Sequence, residues 1–128
     1  MGKLKQIVID CRHPASLARF WAAALDGYEV LPYDDAEIAR LAKLGLTPES
    51  DPCVIVMGPG LELGFQQVDV VEAPKKPVHL DIAAPDRDRE VERLVVIGAT
   101  VKDRFAEHTW LLDPEGNDFC ATDPSERT

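Results

Sequence analysis

Apolar and polar residues alternate along two short segments of the chain, and an apolar pattern of helical period follows each segment. The alternating segments are 6–11 and 78–82, which read as half-buried strands. The helical positions after them are Leu17, Phe20, Trp21, Ala24 and Leu25 in the first case, and Val91, Leu94 and Val95 in the second. The pattern therefore predicts two strand–helix units.

Each predicted helix is followed by three strand-like segments, and the last two of the three flank a turn. The turns are 58–60 in the first copy, Gly-Pro-Gly, and 114–117 in the second, Pro-Glu-Gly-Asn. The strand-like segments are 28–31, 53–57 and 61–67 in the first copy, and 100–104, 109–112 and 118–121 in the second. Both copies therefore have the element order β-α-β-β-β.

An internal repeat supports the two copies. A shift of 71 residues carries Asp10 onto Asp81 and Gly27 onto Gly98, so the match extends from the first strand through the helix. The repeat predicts two tandem βαβββ modules, an α+β fold in which strands 6–11 and 78–82 occupy equivalent places.

The length of 128 residues suits one domain with a substantial core. We expect a single domain, 1–128, made of module 1–69, module 77–123 and the linker 70–76. The segment 34–51 interrupts the first module and carries apolar residues at helical spacing. Two interpretations of it stay open, a lid over a bound ligand and a surface helix without function.

The formal charge of the chain is -9. Because nucleic-acid binding needs a clustered basic surface, we expect no nucleic-acid partner. No apolar run reaches the roughly 20 residues of a membrane span, and the N-terminus lacks a signal-peptide pattern, so we expect a cytoplasmic protein without a membrane partner. The 3 cysteines lack the spacing of a zinc knuckle or a redox motif and are predicted to be buried free thiols.

Two motifs resemble the glyoxalase, bleomycin-resistance and extradiol-dioxygenase group, the vicinal oxygen chelate superfamily. The first is His13-Pro14 followed by the aromatic pair Phe20-Trp21, and the second is the turn 112–120, Leu-Asp-Pro-Glu-Gly-Asn-Asp-Phe-Cys. The segment 65–68 and the insert are most similar to the branch called glyoxalase-like domains. The resemblance implies two modules whose mixed sheets form a half-open, barrel-like cup, and it implies homodimers, which are common in the family.

The resemblance also implies positions for metal ligands, taken from the first and last strands of each module. These positions are Gln6, His79, Cys120 and Gly64, with Gln66 on the same strand face as Gly64 as its replacement. Such a set mixes a thiolate with amide oxygens and offers no carboxylate against the charge of a cation. We therefore expect no resident cofactor and assign no metal ligand. If a divalent metal is bound, His79, Gln6 and Gln66 are the candidates.

Strand parity places a second group of polar residues on the faces that would line the cup. The expected ligand-binding residues are Gln6, Gln66, His108, Trp110 and Cys120. His79 is the first candidate for catalysis, because imidazole titrates near neutral pH and Asp81 or Asp10 would orient it as a general base. A structural role for His79, and caps at the helix starts for both aspartates, stay open as alternatives.

Signatures of hydrolases, nucleotidases and zinc proteases are absent from the sequence. Two function classes remain, and both have a small molecule as the partner. We favour a lyase or isomerase that acts on a small oxygenated organic metabolite, with His79 and a carboxylate as acid and base. The alternative is a non-catalytic protein that binds or sequesters a small organic molecule, as bleomycin-resistance proteins do, and the fold alone does not choose between them.

Overall fold

The computed structural model describes residues 2–69 and 78–124. The chain divides into two compact units, Met1–Glu72 and Ala73–Thr128. The predicted linker, 70–76, lies outside the described residues. Among the helices in the described part of the chain, none is long and apolar enough to cross a bilayer.

The first unit contains a four-stranded mixed sheet with the strand order β1-β4-β3-β2. Strand β1 runs parallel to β4, and the other two pairings are antiparallel. The elements are β1 (Gln6–Cys11), α1 (Pro14–Ala24), β2 (Glu29–Val30), α2 (Asp35–Lys43), a short 3-10 turn (Pro48–Ser50), β3 (Cys53–Met57) and β4 (Glu62–Gln67).

The second unit repeats this arrangement with the strand order β5-β8-β7-β6 and a parallel β5–β8 pair. Its elements are β5 (Leu80–Ala83), α3 (Arg87–Val96), β6 (Thr100–Arg104), β7 (His108–Leu112) and β8 (Asp118–Thr122). The predicted α+β fold of two tandem βαβββ modules is therefore confirmed. Each sheet is mixed and open, with two edge strands of its own.

Helix α1 covers one face of the first sheet. Proline at its first turn suits the start of a helix, and the helix buries Leu17 and Trp21 on the side that contacts β3 and β4. On the sheet, Leu63 and Phe65 are buried, as the alternation along β4 predicts. These residues form the core of the first unit.

Helix α3 has the same place in the second unit. Asp86 caps it by accepting a hydrogen bond from the backbone N–H of Arg89, and its buried positions are Val91 and Leu94. Phe119 on β8 is fully buried. Val95, predicted as part of the apolar stripe, is 45% exposed. At about 100° per residue it lies roughly 70° from the line midway between Val91 and Leu94, which is the edge of the buried stripe.

The insert 34–51 makes an ion pair with α1 and a hydrogen bond with the residue that precedes it. The guanidinium of Arg19 on α1 makes a two-pronged ion pair with Glu49, with N–O distances of 2.7 and 2.8 Å. The Tyr33 hydroxyl donates to Oδ2 of the buried Asp51 at 2.7 Å. Since α1 covers the buried face of the sheet, the Arg19–Glu49 pair holds this part of the insert near the helix, which favours the surface-helix interpretation.

Candidate functional site

The second sheet carries polar side chains on the face turned away from α3. Residues on the helix side, such as Ile82 and Phe119, are buried, and strand alternation puts their neighbours on the opposite face. We call this the outer face. It is formed by His79, Asp81, Lys102, His108, Trp110, Asp118 and Cys120.

Three ionisable side chains of the outer face lie close together. The distance from His79 Nε2 to Asp81 Oδ1 is 3.2 Å, and Asp81 is the ladder partner of Cys120 on the neighbouring strand β8. One ligand atom from each of the three residues lies within 4.8 Å of the others. The side chains of His79 and Asp81 are 56% and 58% exposed, so a ligand can reach them from solvent.

The thiol of Cys120 is the most shielded member of this cluster. Burial raises its pKa, and the charges of Asp81 and Asp118 raise it further. The thiol therefore stays protonated near neutral pH, which makes Cys120 a poor nucleophile in the protein alone.

Trp110 is fixed in place beside this cluster. Its indole N–H donates to Asp118 Oδ1 at 2.8 Å, and the ammonium of Lys102 lies 4.0 Å from the centroid of its ring. Lys102 Nζ also lies 3.9 Å from Asp118 Oδ1. The sequence analysis missed Lys102, because a shift in the β6–β7 register between Val101 and Asp103 breaks the simple alternation.

His108 lies on the same strand face as Trp110, as predicted. Its ring stacks on Phe105, with a centroid distance of 4.7 Å and an interplanar angle of 25°. Phe105 is 45% exposed. One face of the imidazole is thus covered by an aromatic neighbour of the same hairpin.

The remaining predicted site residues lie in the first unit. Asp10 and Gln66 are ladder partners, and Gln6 is the partner of Glu62. The side chain of Gln6 lies over Gly64, where an added Cβ would be 3.5 Å from Gln6 Oε1. That oxygen is buried and accepts no hydrogen bond from the described part of the chain.

The strand registers identify equivalent positions of the two sheets. Asp10 pairs with Gln66 in the first unit, and its repeat counterpart Asp81 pairs with Cys120 in the second. Counting from the turn glycine predicts Gly64 as the counterpart of Cys120, and this prediction is wrong. The ladder, and not the length of the preceding loop, fixes the register, so Gln66 holds the equivalent position.

The donor set of His79, Asp81 and Cys120 fits a divalent cation of the zinc class. Imidazole nitrogen, carboxylate oxygen and thiolate sulfur are all ordinary zinc ligands. The set contains Asp81, which supplies the carboxylate that the predicted ligand set lacked. Of the predicted metal candidates, His79 belongs to this cluster, whereas Gln6 and Gln66 lie in the other unit. The sequence signal for the pair was the spacing of two residues between His79 and Asp81 at the start of β5.

Solved structures of other proteins share this fold. A glyoxalase/bleomycin resistance protein/dioxygenase family enzyme from Burkholderia phytofirmans matches with a TM-score of 0.70 and 16% identity, over 95% of this chain and 98% of that chain. The fosfomycin resistance protein FosX from Mesorhizobium loti matches with a TM-score of 0.67 and 14% identity, over 98% and 94%. A possible glyoxalase from Bacillus cereus matches with a TM-score of 0.65 and 12% identity, over 95% and 99%.

At these sequence identities the structural matches establish the fold alone. The search of curated proteins found no match to the sequence. The family follows from the sequence itself. The sequence model of the glyoxalase-like domain matches residues 6–122, which is nearly the whole chain and includes all three residues of the His79, Asp81 and Cys120 cluster. The chain is therefore a member of the glyoxalase-like domain family, within the vicinal oxygen chelate superfamily.

Proposed function

We propose that this protein is a glyoxalase-related lyase or isomerase that moves a proton on a small oxygenated organic molecule bound at the outer face. The observation that carries the proposal is the distance of 3.2 Å between His79 Nε2 and Asp81 Oδ1. An imidazole paired with a carboxylate is a common acid–base unit, because the carboxylate orients the ring and stabilises the imidazolium.

The pairing assigns a role to each atom of the pair. With Nε2 facing the Asp81 carboxylate, Nδ1 of His79 is the nitrogen that accepts a proton from the substrate. Asp81 then faces a cationic ring and stabilises it electrostatically. The same imidazolium returns the proton to another atom of the substrate, which completes an isomerisation or a β-elimination.

We place the acid–base centre in the second unit because the equivalent positions of the first unit lack its chemistry. Asp10 is the counterpart of Asp81, but Val8 occupies the position equivalent to His79. Asp10 therefore has no imidazole two residues before it on the strand. In this proposal Asp10 is a carboxylate of secondary importance, and Gln6 and Gln66 contribute amide groups for binding.

Trp110 and Lys102 supply binding groups in this proposal. The indole is held by Asp118 before any ligand arrives, so little side-chain freedom is lost on binding. Its ring offers an apolar wall, and the ammonium of Lys102 can attract an oxygen that gains negative charge during proton removal. A metal ion bound to His79, Asp81 and Cys120 would supply Lewis-acid polarisation of a ligand oxygen.

The proposal is tested by proton exchange in deuterated water. A panel of small hydroxycarbonyl and dicarbonyl compounds is incubated with the protein, and NMR follows deuterium uptake at carbon atoms next to a carbonyl group. We expect His79→Gln to slow the exchange by about 10²–10⁴-fold, the usual contribution of a general base. His13→Gln, an exposed histidine of the first unit, is the matched control. Equal exchange in wild type and His79→Gln contradicts the proposal.

The second candidate is a non-catalytic binding protein. It is favoured by the preorganised Trp110, since a fixed aromatic wall is useful to a binder without any reaction. Isothermal titration with the same panel separates the two functions. Saturable binding that Trp110→Ala abolishes, with no exchange at any carbon, supports the binder and contradicts the enzyme.

We also propose that the protein acts in the cytoplasm as a homodimer. The family supports this assembly, since homodimers are common in it. Light scattering on the purified chain tests the dimer, and a monomer at micromolar concentration contradicts it.

A further inference from the structure

We propose that the outer face binds an organic cation, and that the ammonium of Lys102 occupies the place of the ligand's quaternary ammonium group over Trp110 until the ligand displaces it. The inference deepens the proposed function by naming the charge class of its ligand, and it rests on that function in taking the outer face as the ligand site. The oxygenated ligand then carries a quaternary ammonium group as well as its carbonyl or hydroxyl oxygen.

The chain itself holds a cation at this place. Lys102 Nζ lies 4.0 Å from the centroid of the Trp110 ring and 3.9 Å from Asp118 Oδ1. The face of an indole ring carries partial negative charge, so the ring and the carboxylate both attract the ammonium. We call the place of Nζ the cation position, and we infer that a ligand's cationic group binds there.

The Lys102 ammonium is held at the cation position by charge, without a hydrogen bond to the carboxylate. Its distance of 3.9 Å from Asp118 Oδ1 is too long for a hydrogen bond, and that oxygen already accepts the indole N–H of Trp110 at 2.8 Å. A quaternary ammonium has no N–H group, so it loses no hydrogen bond in this place. It also gives up less hydration than the strongly hydrated ammonium of a lysine, which favours it at an aromatic ring.

The charges of the outer face favour a monocation. With its histidines neutral, the face carries the two carboxylates of Asp81 and Asp118 against the one ammonium of Lys102. A bound monocation neutralises the excess negative charge, whereas a bound anion adds to it. Burial and then the charges of both aspartates raise the pKa of Cys120, which agrees with a negative potential at this face.

Lys102 can leave the ring at a small cost. Its side chain is 46% exposed, and it lies on the edge strand β6 at the register shift between Val101 and Asp103. The flexible four-carbon stem lets the ammonium swing into solvent and regain its hydration. Trp110 stays fixed by its hydrogen bond to Asp118, so the ring remains in place for the ligand. The released ammonium can then attract the ligand oxygen that gains negative charge in the proposed proton transfer.

The strand ladders put the cation position near the acid–base pair. Trp110 is the ladder partner of Cys120, and Cys120 is the partner of Asp81. Trp110 and Asp81 are therefore two strands apart, about 10 Å at the level of the backbone. A ligand of metabolite size spans this distance, with its cationic group at Trp110 and its reacting carbon at His79.

Choline is the probe for the decisive experiment, because it carries a quaternary ammonium and a hydroxyl group. Its neutral analogue has a carbon atom in place of the nitrogen and nearly the same shape. NMR on labelled protein follows the indole N–H resonances of Trp110 and of Trp21, which is buried in the first unit. We expect choline to shift the Trp110 resonance saturably and to leave that of Trp21 unchanged. The neutral analogue should bind about 5-fold more weakly.

The sharpest prediction concerns Lys102. Lys102→Ala removes the internal competitor, so we expect choline to bind about 2–5-fold more tightly, the factor that corresponds to an exposed cation–π contact. Lys102→Arg keeps a cation near the ring and should bind choline no more tightly than wild type. Arg89→Ala is the matched control, since it removes the same charge from an exposed position of α3. Asp118→Asn keeps an acceptor for the indole and should weaken binding about 5-fold through its lost charge.

Tighter binding in Lys102→Ala, with no gain in Lys102→Arg or Arg89→Ala, supports the proposal. Equal binding of choline and its neutral analogue overturns it, since the site would then recognise apolar shape alone. Binding in Lys102→Ala that is no tighter than in wild type or in Arg89→Ala overturns it as well, and so does a Trp110 resonance that choline never moves. Choline binding needs no turnover, so its failure is distinguishable from a failure of deuterium exchange.

Discussion

The indole N–H of Trp110 donates a hydrogen bond of 2.8 Å to Oδ1 of Asp118, joining strand β7 to strand β8 on the outer face. The bond has an ionised acceptor, and the ammonium of Lys102 lies over the same ring. Because three side chains share the contact, the effect of substituting one of them on the free energy of unfolding depends on the other two.

We expect Asp118→Ala to lower the free energy of unfolding by about 1 kcal/mol, a value at the low end for charged hydrogen bonds because the carboxylate is partly exposed. Urea unfolding measures the change. In a Trp110→Phe background the same substitution should cost less, since the donor is missing. Strictly additive losses in the double variant would show that the Trp110–Asp118 bond contributes nothing to stability.

The turn before β8 depends on the buried carboxylate of Asp113. Its Oδ1 accepts hydrogen bonds from the backbone N–H groups of Glu115 and Asn117, at 2.9 Å each, and the Asn117 side chain donates to it as well. We expect Asp113→Ala to lower the free energy of unfolding by about 2–4 kcal/mol, because buried donors lose their acceptor. Urea unfolding measures the loss, and Asp88→Ala on the exposed side of α3 is the control. A loss equal to that of the control contradicts the prediction.

Gly58 lies against the ring of Tyr28. A Cβ at residue 58 would lie 2.5 Å from the Tyr28 ring, and that ring is tethered because its hydroxyl donates to the Leu61 carbonyl. We expect Gly58→Ala to cost about 1–3 kcal/mol of stability through overpacking, measured by thermal unfolding. Gly2→Ala, with open space around the added carbon, is the control. Gly58→Ala should cost less in a Tyr28→Ala background, and an unchanged cost argues against the clash.

Folding changes the pKa of the Tyr33 hydroxyl. Burial and then the hydrogen bond to Asp51 raise the pKa of Tyr33 well above its ordinary value of 10.0. Above the ordinary tyrosine pKa the unfolded chain releases this proton, whereas the folded protein keeps it. The contribution of Tyr33 to the free energy of unfolding is therefore complete below the ordinary pKa and is lost as the pH rises above that pKa.

We therefore expect Tyr33→Phe to show a shallower loss of stability than wild type between about pH 9 and pH 11, around the tyrosine value of about 10. Urea unfolding across this range measures both slopes. Tyr28→Phe controls for the removal of a tyrosine hydroxyl. Parallel slopes for wild type and Tyr33→Phe would contradict the assignment of this titration to Tyr33.

The fold could be predicted from the sequence because the periodicities of β1, α1, β5 and α3 are strong and recur at one shift. Element order depends on such local patterns and needs no knowledge of distant contacts. Which apolar residues are buried was harder to predict from the sequence. Val95 is apolar and yet exposed, since it lies at the edge of the stripe that Val91 and Leu94 bury, and residue spacing alone does not show where that edge falls.

The candidate site was predictable only in part. His79 immediately precedes β5 and lies two residues before Asp81, so their proximity could be predicted from the sequence. The pairing of Asp81 with Cys120 on the neighbouring strand could not be predicted, because strand register depends on hydrogen bonds between strands far apart in sequence. For this reason Cys120 and Asp81 were not seen as members of one ligand set, and Gly64 was taken for the counterpart of Cys120.

In each unit the first strand pairs with the last, and this pairing sets the order in which the protein can be assembled during translation. Strand β1 gains its ladder neighbour only after β4 has been synthesised, and β5 has to wait for β8. Since translation starts at the N-terminus, the first sheet can form while the second is still being made. The Asp81–Cys120 neighbourhood is thus one of the last parts to assemble, and a ribosome stalled before residue 118 would carry a chain without it.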